Sequence, residues 1–278
     1  MPKVSVVIPA FNCGNYLEEC MESVLGQSYE DIELVLIDDG SYDNTGELVK
    51  AYLGDSRVRY IRKPERKGLP AARNTGVEVA NGDLIAFLDA DDVFLPRKIQ
   101  KQVDAFAERG FFGISYTNQF YFTENPEKEV ISNRYHFSGD VFYYLKRSNF
   151  IPASTVMAKR EIFRENKFNE FLKSHEDWEL YLRLALNGTC FTYMEEPLSK
   201  IRVRQGSMSV NEGIMEGTRR EVGLRAKAYW LEFKRSMNPF SAKGQKAILR
   251  YVKLKGRALL IGFPRGRRFN RALPQELL

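Results

Sequence analysis

Residues 67–92 read KGLPAARNTGVEVANGDLIAFLDADD. Gly68-Leu69-Pro70 opens a helix that runs to Ala80, and Asn81-Gly82-Asp83 ends it. Residues 84–88 are an unbroken apolar run, the pattern of a strand buried on both faces. That run passes directly into Asp89-Ala90-Asp91-Asp92. A helix leading into a doubly buried strand is the second half of a βαβ unit, and the stretch on either side repeats the alternation.

Upstream, residues 4–9 form another apolar run, broken only by Ser5 and ended by Pro9. Asn15 with Glu18 three residues on is a variant of the capping box, and Leu17, Cys20, Met21, Val24 and Leu25 recur at helical spacing. Residues 33–37 predict a second buried strand, closed by Asp38-Asp39-Gly40-Ser41; a helix around 46–53 and a strand at 57–61 follow. Strand and helix therefore alternate through the first hundred residues, which predicts an α/β fold with a largely parallel sheet and helices on both faces. Ligands bind beyond the carboxyl ends of such strands. The polar clusters at 9–12, 38–41 and 89–92 all sit at those ends, so they are expected on one rim of one crevice. Downstream, a helix is predicted at 97–109 with Gly110 to stop it, strands at 113–122 and 155–158, and a helix at 174–187 closed by Gly188. Trp178, Tyr181, Leu182 and Ala185 share a face of that helix. Strands at 189–193 and 198–203 follow, and the pattern beyond residue 219 is helical.

The 278 residues are ample for a sizeable core in one or two domains. With 44% apolar and 28% charged residues, wholesale disorder is excluded. No apolar run approaches the roughly 18–20 residues of a membrane span. The N-terminus, MPKVSVVIPAFN, reads as a strand rather than a signal peptide. Three cysteines without a C-x-x-C pair indicate neither a disulfide framework nor a zinc site, so a reducing cytoplasm is expected. Charge is unevenly spread. Residues 219–278 hold 16 Lys or Arg against three Glu, a net of +13, and the preceding 218 residues therefore carry −7 of the total +6. An acidic body with a basic tail suggests an anionic partner: nucleic acid, an anionic membrane or a phosphorylated substrate.

Taken singly, the clusters have two readings each. Asp89-Ala90-Asp91 suits a hard divalent cation that also takes ligands from substrate phosphates, and it equally suits an Asp-rich turn. Asp38-Asp39-Gly40-Ser41 is a turn, or a carboxylate accepting the imide N–H of a pyrimidine. Lys67-Gly68 and Arg73 are solvated charge, or contacts to a base or diphosphate. Asp177, in the first turn of its helix, complements the helix dipole, or is a catalytic carboxylate anchored by Trp178. His136 reads as a loop or surface imidazole, His175 as an ordinary helix-start residue, and Tyr116, Phe120, Tyr121 and Phe122 as strand packing. The loop 152–155 is open to an acceptor-lining role.

Together, VSVVIPAFN, DDGS, KGLPAARNTGVEVANGDLIAFLDADD, HEDWELYLRL and IRVRQGSMS resemble, in order and spacing from residue 3 to about 210, the inverting glycosyltransferases of family 2. The resemblance implies a GT-A fold: a mixed, mostly parallel central sheet flanked by helices, with a Rossmann-like nucleotide-binding half. It implies a catalytic domain over 1–218, with a nucleotide-sugar half at about 1–110 and an acceptor half at about 111–218, and a basic helical extension over 219–278. By the same resemblance Asp39 binds the nucleotide base, and Pro9, Ala10 and Asn12 wall its pocket. Arg73 reaches the base or diphosphate. Asp91 holds a divalent metal, Mn²⁺ or Mg²⁺; Asp89 contacts the ribose or a metal-bound water; Asp177 is the general base. Arg204 stands where many relatives carry His and is expected on the leaving diphosphate rather than on a metal.

The implied partners are a nucleotide-sugar donor, UDP foremost, and a saccharide or lipid-linked acceptor of cell-surface polysaccharide synthesis. A sugar-nucleotide-forming nucleotidyltransferase would need a Gly-rich basic loop after the first strand. Residues 9–16 have one Gly and no Lys or Arg. The acidic crevice and body argue against nucleic acid. In the tail, Lys246, Arg250, Lys253 and Arg257 form one basic helical stripe within 242–262, followed by Arg265-Gly266-Arg267-Arg268 and Arg271. An interfacial helix on the inner face of the cell membrane is the expectation; a helix packed on the body is the alternative.

Overall fold

The structure, a computed structural model, describes residues 1–109, 113–124, 129–133, 136–204, 212–235, 245–247, 249 and 250. Among these, nine strands form one sheet: β1 (Val4–Ala10), β2 (Ile32–Asp38), β3 (Val58–Arg62), β4 (Leu84–Phe87), β5 (Val93–Phe94), β6 (Gly113–Phe122), β7 (Glu129–Ile131), β8 (Val156–Lys159) and β9 (Cys190–Arg202). The helices are α1 (Gly14–Leu25), α2 (Thr45–Lys50), α3 (Leu69–Val79), α4 (Lys98–Arg109), α5 (Phe142–Leu145), α6 (Arg160–Glu165), α7 (Glu176–Leu186) and α8 (Glu212–Arg235). The strand order is β3-β2-β1-β4-β8-β6-β9-β5, with β7 beside the far end of β6. β1 to β4 are mutually parallel, β8 runs against both β4 and β6, and β6 and β9 are parallel. This is the mixed, mostly parallel sheet expected, and its β3-β2-β1-β4 half has the Rossmann-like order.

β1 and β2 are buried at every position. Alternate residues feed two cores: Val4, Val6, Ile8, Leu34 and Leu36 pack towards α1 and α4, while Val7, Val35 and Ile37 pack towards α3. Besides Asp38 at the end of β2, Ser5 and Glu33 are the polar residues within these strands. Ser5 Oγ donates to Glu33 Oε1 at 2.5 Å, and Glu33 also accepts the N–H of Asn81 at 2.5 Å and of Gly82 at 3.2 Å. The two strands are thereby tied to the turn that ends α3. A Cβ on Gly82 would lie 2.6 Å from the Ser5 nitrogen, so only glycine fits that turn.

Two expectations change. α1 is not capped by Asn15, which is exposed in its first turn. The donors at the helix start instead meet the first residue of α2 and the loop before it: Cys13 N–H to Thr45 Oγ1 at 3.1 Å and Gly14 N–H to Asp43 Oδ2 at 3.0 Å. The strands predicted at 189–193 and 198–203 are one strand, β9, whose register against β6 shifts around Thr117–Gln119; the apparent break is a bulge. α8 runs through residue 218, where the catalytic region is expected to pass into the basic extension. That helix buries Val222 and Ala226, stacks Trp230 on Phe142 at 5.6 Å, and donates the Tyr229 hydroxyl to Glu179 at 2.5 Å. β5, β7, α5 and α6 were not anticipated, being two to six residues long.

Most of the predicted basic tail helix at 242–262, and Arg265-Gly266-Arg267-Arg268 with Arg271, lie outside the described residues, as do Lys253, Arg257 and Gly110. Lys246 is exposed. Arg250 is turned onto the body: its guanidinium pairs with Asp140 at 2.5 Å and donates to the carbonyls of Ala185 and Leu186 at the end of α7. No helix among the described residues is long and apolar enough to cross a membrane.

Candidate active site

The carboxyl ends of β1, β2 and β4 meet, and the loops there bring the predicted clusters together. Pro9 and Ala10 end β1, buried, and pair with Ile37 and Asp38. Asn12 adopts a left-handed conformation, φ 50°. Its N–H donates to Ser41 Oγ at 3.0 Å and its side-chain oxygen accepts the Tyr42 N–H at 3.0 Å, which sews the first loop to the second. Asp38 serves the turn, accepting the Ser41 N–H at 2.7 Å and the Tyr60 hydroxyl at 2.7 Å. Asp39 faces the loop before α3. It is 3% exposed and accepts the main-chain N–H of Lys67 at 3.0 Å and of Gly68 at 2.6 Å, with Lys63 Nζ at 3.4 Å. The Lys67 side chain points to solvent beside Glu65, so its contribution here is the backbone. Phe11, under Arg66 at 4.0 Å and edge-on to Tyr42 at 5.8 Å, borders the same loops; the sequence reading did not single it out.

The turn after β4 is held from two distant elements. Ser154, in the one-turn 3₁₀ helix before β8, accepts the Asp89 N–H at 3.0 Å and donates its hydroxyl to Asp92 at 2.6 Å. Asp92 also accepts the Arg202 N–H at 2.9 Å. Burial, then the charges of Asp91 and Asp89, push the Asp92 carboxyl well above the usual range, as suits a brace rather than a ligand. Asp91 accepts Arg204 Nε–H at 2.9 Å; burial and Asp89 push its carboxyl up and Arg204 pulls it back. Asp89 accepts from Arg73 at 2.5 Å and leaves about a third of its side chain open.

Arg73 differs from the expectation. Its side chain is 2% exposed and bridges Asp89 to Glu176, so its donors are turned inward rather than to an open pocket. Its Nε is buried without a partner, and Phe168 lies 5.5 Å below the guanidinium. The bridge reaches α7, which starts with His175 in a left-handed conformation, φ 55°. Asp177 accepts Asn149 Nδ2–H at 3.0 Å and the Trp178 N–H at 2.6 Å, and Trp178 Nε1–H donates to the Leu145 carbonyl at 2.6 Å. Trp178 is thus the anchor predicted. Burial raises the Asp177 carboxyl above the ordinary aspartate value, Arg73 lowers it, and Asp89 raises it again.

Sequence spacing concealed Ser154, Glu176, Asn149 and Arg202, whose partners are far away in the chain. His136 is a loop residue, half-buried rather than on the open surface: it stacks on Tyr193 at 4.2 Å within an aromatic group that includes Tyr116. Tyr116 and Tyr121 are buried, as packing residues.

A divalent ion fits this site only with help from a ligand. Asp89 and Asp91 present hard oxygens from one turn, both partly open, which suits Mg²⁺ or Mn²⁺. Among the described residues no three His, Cys, Asp or Glu side chains come together to hold a metal, so phosphate oxygens would have to complete the shell.

A family model described as Glycosyl transferase family 2 matches residues 5–171. An uncharacterized glycosyltransferase of Rickettsia felis is 36% identical over 222 residues, covering 80% of this chain and 36% of that one. The chain spans about a third of the length of such Rickettsia relatives. Among solved structures, S. aureus TarS 1-349 in complex with UDP-GlcNAc superposes with a TM-score of 0.66 at 19% identity, covering 94% of this chain and 76% of that one. The mannosyltransferase PcManGT from Pyrobaculum calidifontis, in complex with GDP-Man and Mn²⁺, gives 0.61 at 18% identity, covering 95% and 77%. The sheet order, the acidic turn after β4 and the matched model agree: the chain has the GT-A fold and belongs to glycosyltransferase family 2.

Proposed function

We propose that this chain transfers a sugar from a nucleoside-diphosphate donor, UDP foremost, to a hydroxyl of a saccharide or lipid-linked acceptor, in a single displacement that inverts the anomeric centre. The observation that carries this reading is the Arg73 bridge. It joins Asp89, on the acidic turn after β4, to Glu176, the neighbour of Asp177 at the start of α7. A donor-side carboxylate turn and an acceptor-side carboxylate thus share one rim.

Asp177 accepts the acceptor hydroxyl proton as the new bond forms; Asn149 and the Trp178 N–H hold its carboxylate in place. Asp39, with Pro9, Ala10 and Asn12, receives the base, its carboxylate shared between the Lys67 and Gly68 amides and the imide N–H of uracil. Arg73 acts through Asp89 and Glu176, and Arg204 meets the leaving diphosphate. Asp91, with Asp89, would hold Mn²⁺ or Mg²⁺, which when bound neutralises charge on the departing diphosphate as a Lewis acid. The UDP-GlcNAc complex of TarS and the Mn²⁺ complex of PcManGT support the donor class and the metal. We read residues 1–218 as the catalytic region and 219–278 as an extension that draws the enzyme to the anionic inner face of the cell membrane, where a lipid-linked acceptor of polysaccharide synthesis would be met.

The test is transfer or hydrolysis from a panel of sugar nucleotides with Mn²⁺ against EDTA, with the anomeric configuration of the product read by NMR. Turnover of a UDP-sugar that needs metal and inverts the centre is expected. A retained configuration, or no turnover of any nucleotide sugar, would overturn the reading. Co-sedimentation with anionic and neutral liposomes at low and high salt, for the full chain and a truncation near Met237, tests the membrane part; equal behaviour of the two proteins on anionic liposomes would refute it.

A further inference from the structure

The carboxylate assigned to the metal already has a cation on it. Arg204 Nε–H donates to Asp91 Oδ2 at 2.9 Å, and the guanidinium rests over the Tyr16 ring at 5.1 Å. The neighbouring basic residue on this edge is held differently. Arg202 donates Nε–H to the Asp91 carbonyl at 2.9 Å, pairs with Glu19, and lies 4.3 Å over Phe122 and 4.8 Å over Tyr16. Its side chain is 7% exposed, against 28% for Arg204. Arg202 is therefore a fixture. Arg204 has one carboxylate partner among the described residues, an aromatic face beside it, and a partly exposed side chain.

We propose that Arg204 is a built-in counter-ion that closes Asp91 to divalent metal until a donor diphosphate arrives. The inference rests on the reading of Asp91 as the metal carboxylate. Arg204 takes one oxygen of Asp91 with an N–H at 2.9 Å, and a divalent cation on the other oxygen would put two positive groups on one carboxylate, which repel. The diphosphate supplies the missing negative charge. It offers a forked anion for the guanidinium and further oxygens for the metal, so both cations are accommodated only when it is present. Metal and nucleotide then bind with positive coupling, and linkage makes that coupling reciprocal. A histidine at this position would join the metal's ligands instead; an arginine makes metal entry conditional on the donor.

The experiment measures Mn²⁺ binding by electron paramagnetic resonance and UDP binding by calorimetry, each with and without the other, on the full chain. The proteins are wild type, Arg204→Gln, Arg204→Lys and Asp91→Asn, with thermal unfolding as the check on folding. Arg204→Gln should bind Mn²⁺ alone roughly five- to tenfold more tightly than wild type, the scale of a partly exposed charge pair, and should lose a similar factor in metal-free UDP affinity. Its coupling between the two ligands shrinks accordingly, and Arg204→Lys restores most of it. Asp91→Asn should lose the Mn²⁺ dependence of UDP binding. If Asp91→Asn keeps that dependence, the metal assignment itself fails and the counter-ion role with it. If Asp91→Asn loses it while Arg204→Gln leaves Mn²⁺-alone affinity unchanged or weaker, the metal assignment stands and the counter-ion proposal is overturned.

Discussion

At the scale of single residues, the competition of burial and charge around Asp177 sets its basicity. Burial raises its carboxyl above the ordinary value and Arg73 is the chief charge that lowers it; burial raises Glu176 as well, and the same guanidinium opposes that rise. A base must be deprotonated to act, so activity is present above the raised pKa and lost as pH falls through it. The acid limb of kcat should therefore lie above the ordinary aspartate pKa of about 3.9. Arg73→Met removes the lowering charge, and that limb should move to higher pH still; a pH–rate profile with an unmoved limb would sever Arg73 from Asp177. Asp177→Asn should cost more than ~100-fold in kcat while leaving UDP affinity nearly intact, because shape is kept and basicity is lost. Substantial turnover by a clean preparation of that variant would remove Asp177 from the base role. Asp39 has a structural duty beside its proposed one, since it accepts two main-chain N–H groups. Asp39→Ala should weaken UDP binding and also cost ~1–3 kcal/mol of stability, read by calorimetric titration and denaturant unfolding together.

At the scale of elements, β1, β2 and the turn after α3 form a unit held by Glu33. Burial opposes its charge, but the Ser5 hydroxyl and the Asn81 backbone and side-chain donors outweigh that and hold its carboxyl below the usual value. A depressed carboxyl contributes stability above its unfolded pKa, near 4.3, and the contribution is lost as pH falls through the lower folded value. Glu33→Gln should therefore lower stability at pH 7, and the difference from wild type should narrow below about pH 4. Denaturant midpoints across that range check it, and a difference independent of pH would argue for packing alone. Gly82→Ala in the same turn meets backbone rather than a yielding side chain. A loss of ~1–3 kcal/mol is expected there, the usual cost of overpacking.

At the scale of the whole molecule, charge and packing divide the chain at different places. Net charge changes sign near residue 219, yet α8 runs through that point and packs against α5 and α7 through Val222, Ala226, Tyr229 and Trp230. α7 is held at its start through Glu176 by Arg73, along its length by α8, and at its carbonyl end by Arg250. Ending the chain before Glu212 should thus yield an aggregating or grossly destabilised protein. Ending it near Met237 should cost only a few degrees in Tm, through loss of the Arg250 contacts at a helix C-terminus. Equal Tm values for the two truncations would contradict this account of α8.

What the amino-acid sequence determined by itself is whatever repeats over short distances. The short apolar runs of residues 4–9 and 33–37, the helical spacing of Leu17 to Leu25, and the acidic turn directly after a buried strand specify strand, helix and rim without reference to anything remote. They sufficed for the α/β class, and for bringing the clusters at 9–12, 38–41 and 89–92 to one edge. The tertiary structure alone decided who stands opposite whom. The donors at the start of α1 are met by Asp43 and Thr45, not by Asn15; the turn after β4 is braced by Ser154; Arg73 bridges two carboxylates instead of facing an open pocket; Arg204 lies on Asp91. Each of these is one contact between residues far apart in the chain. A polar group about to be buried must find some partner, but nothing in local periodicity says which distant residue the closed sheet will bring within reach.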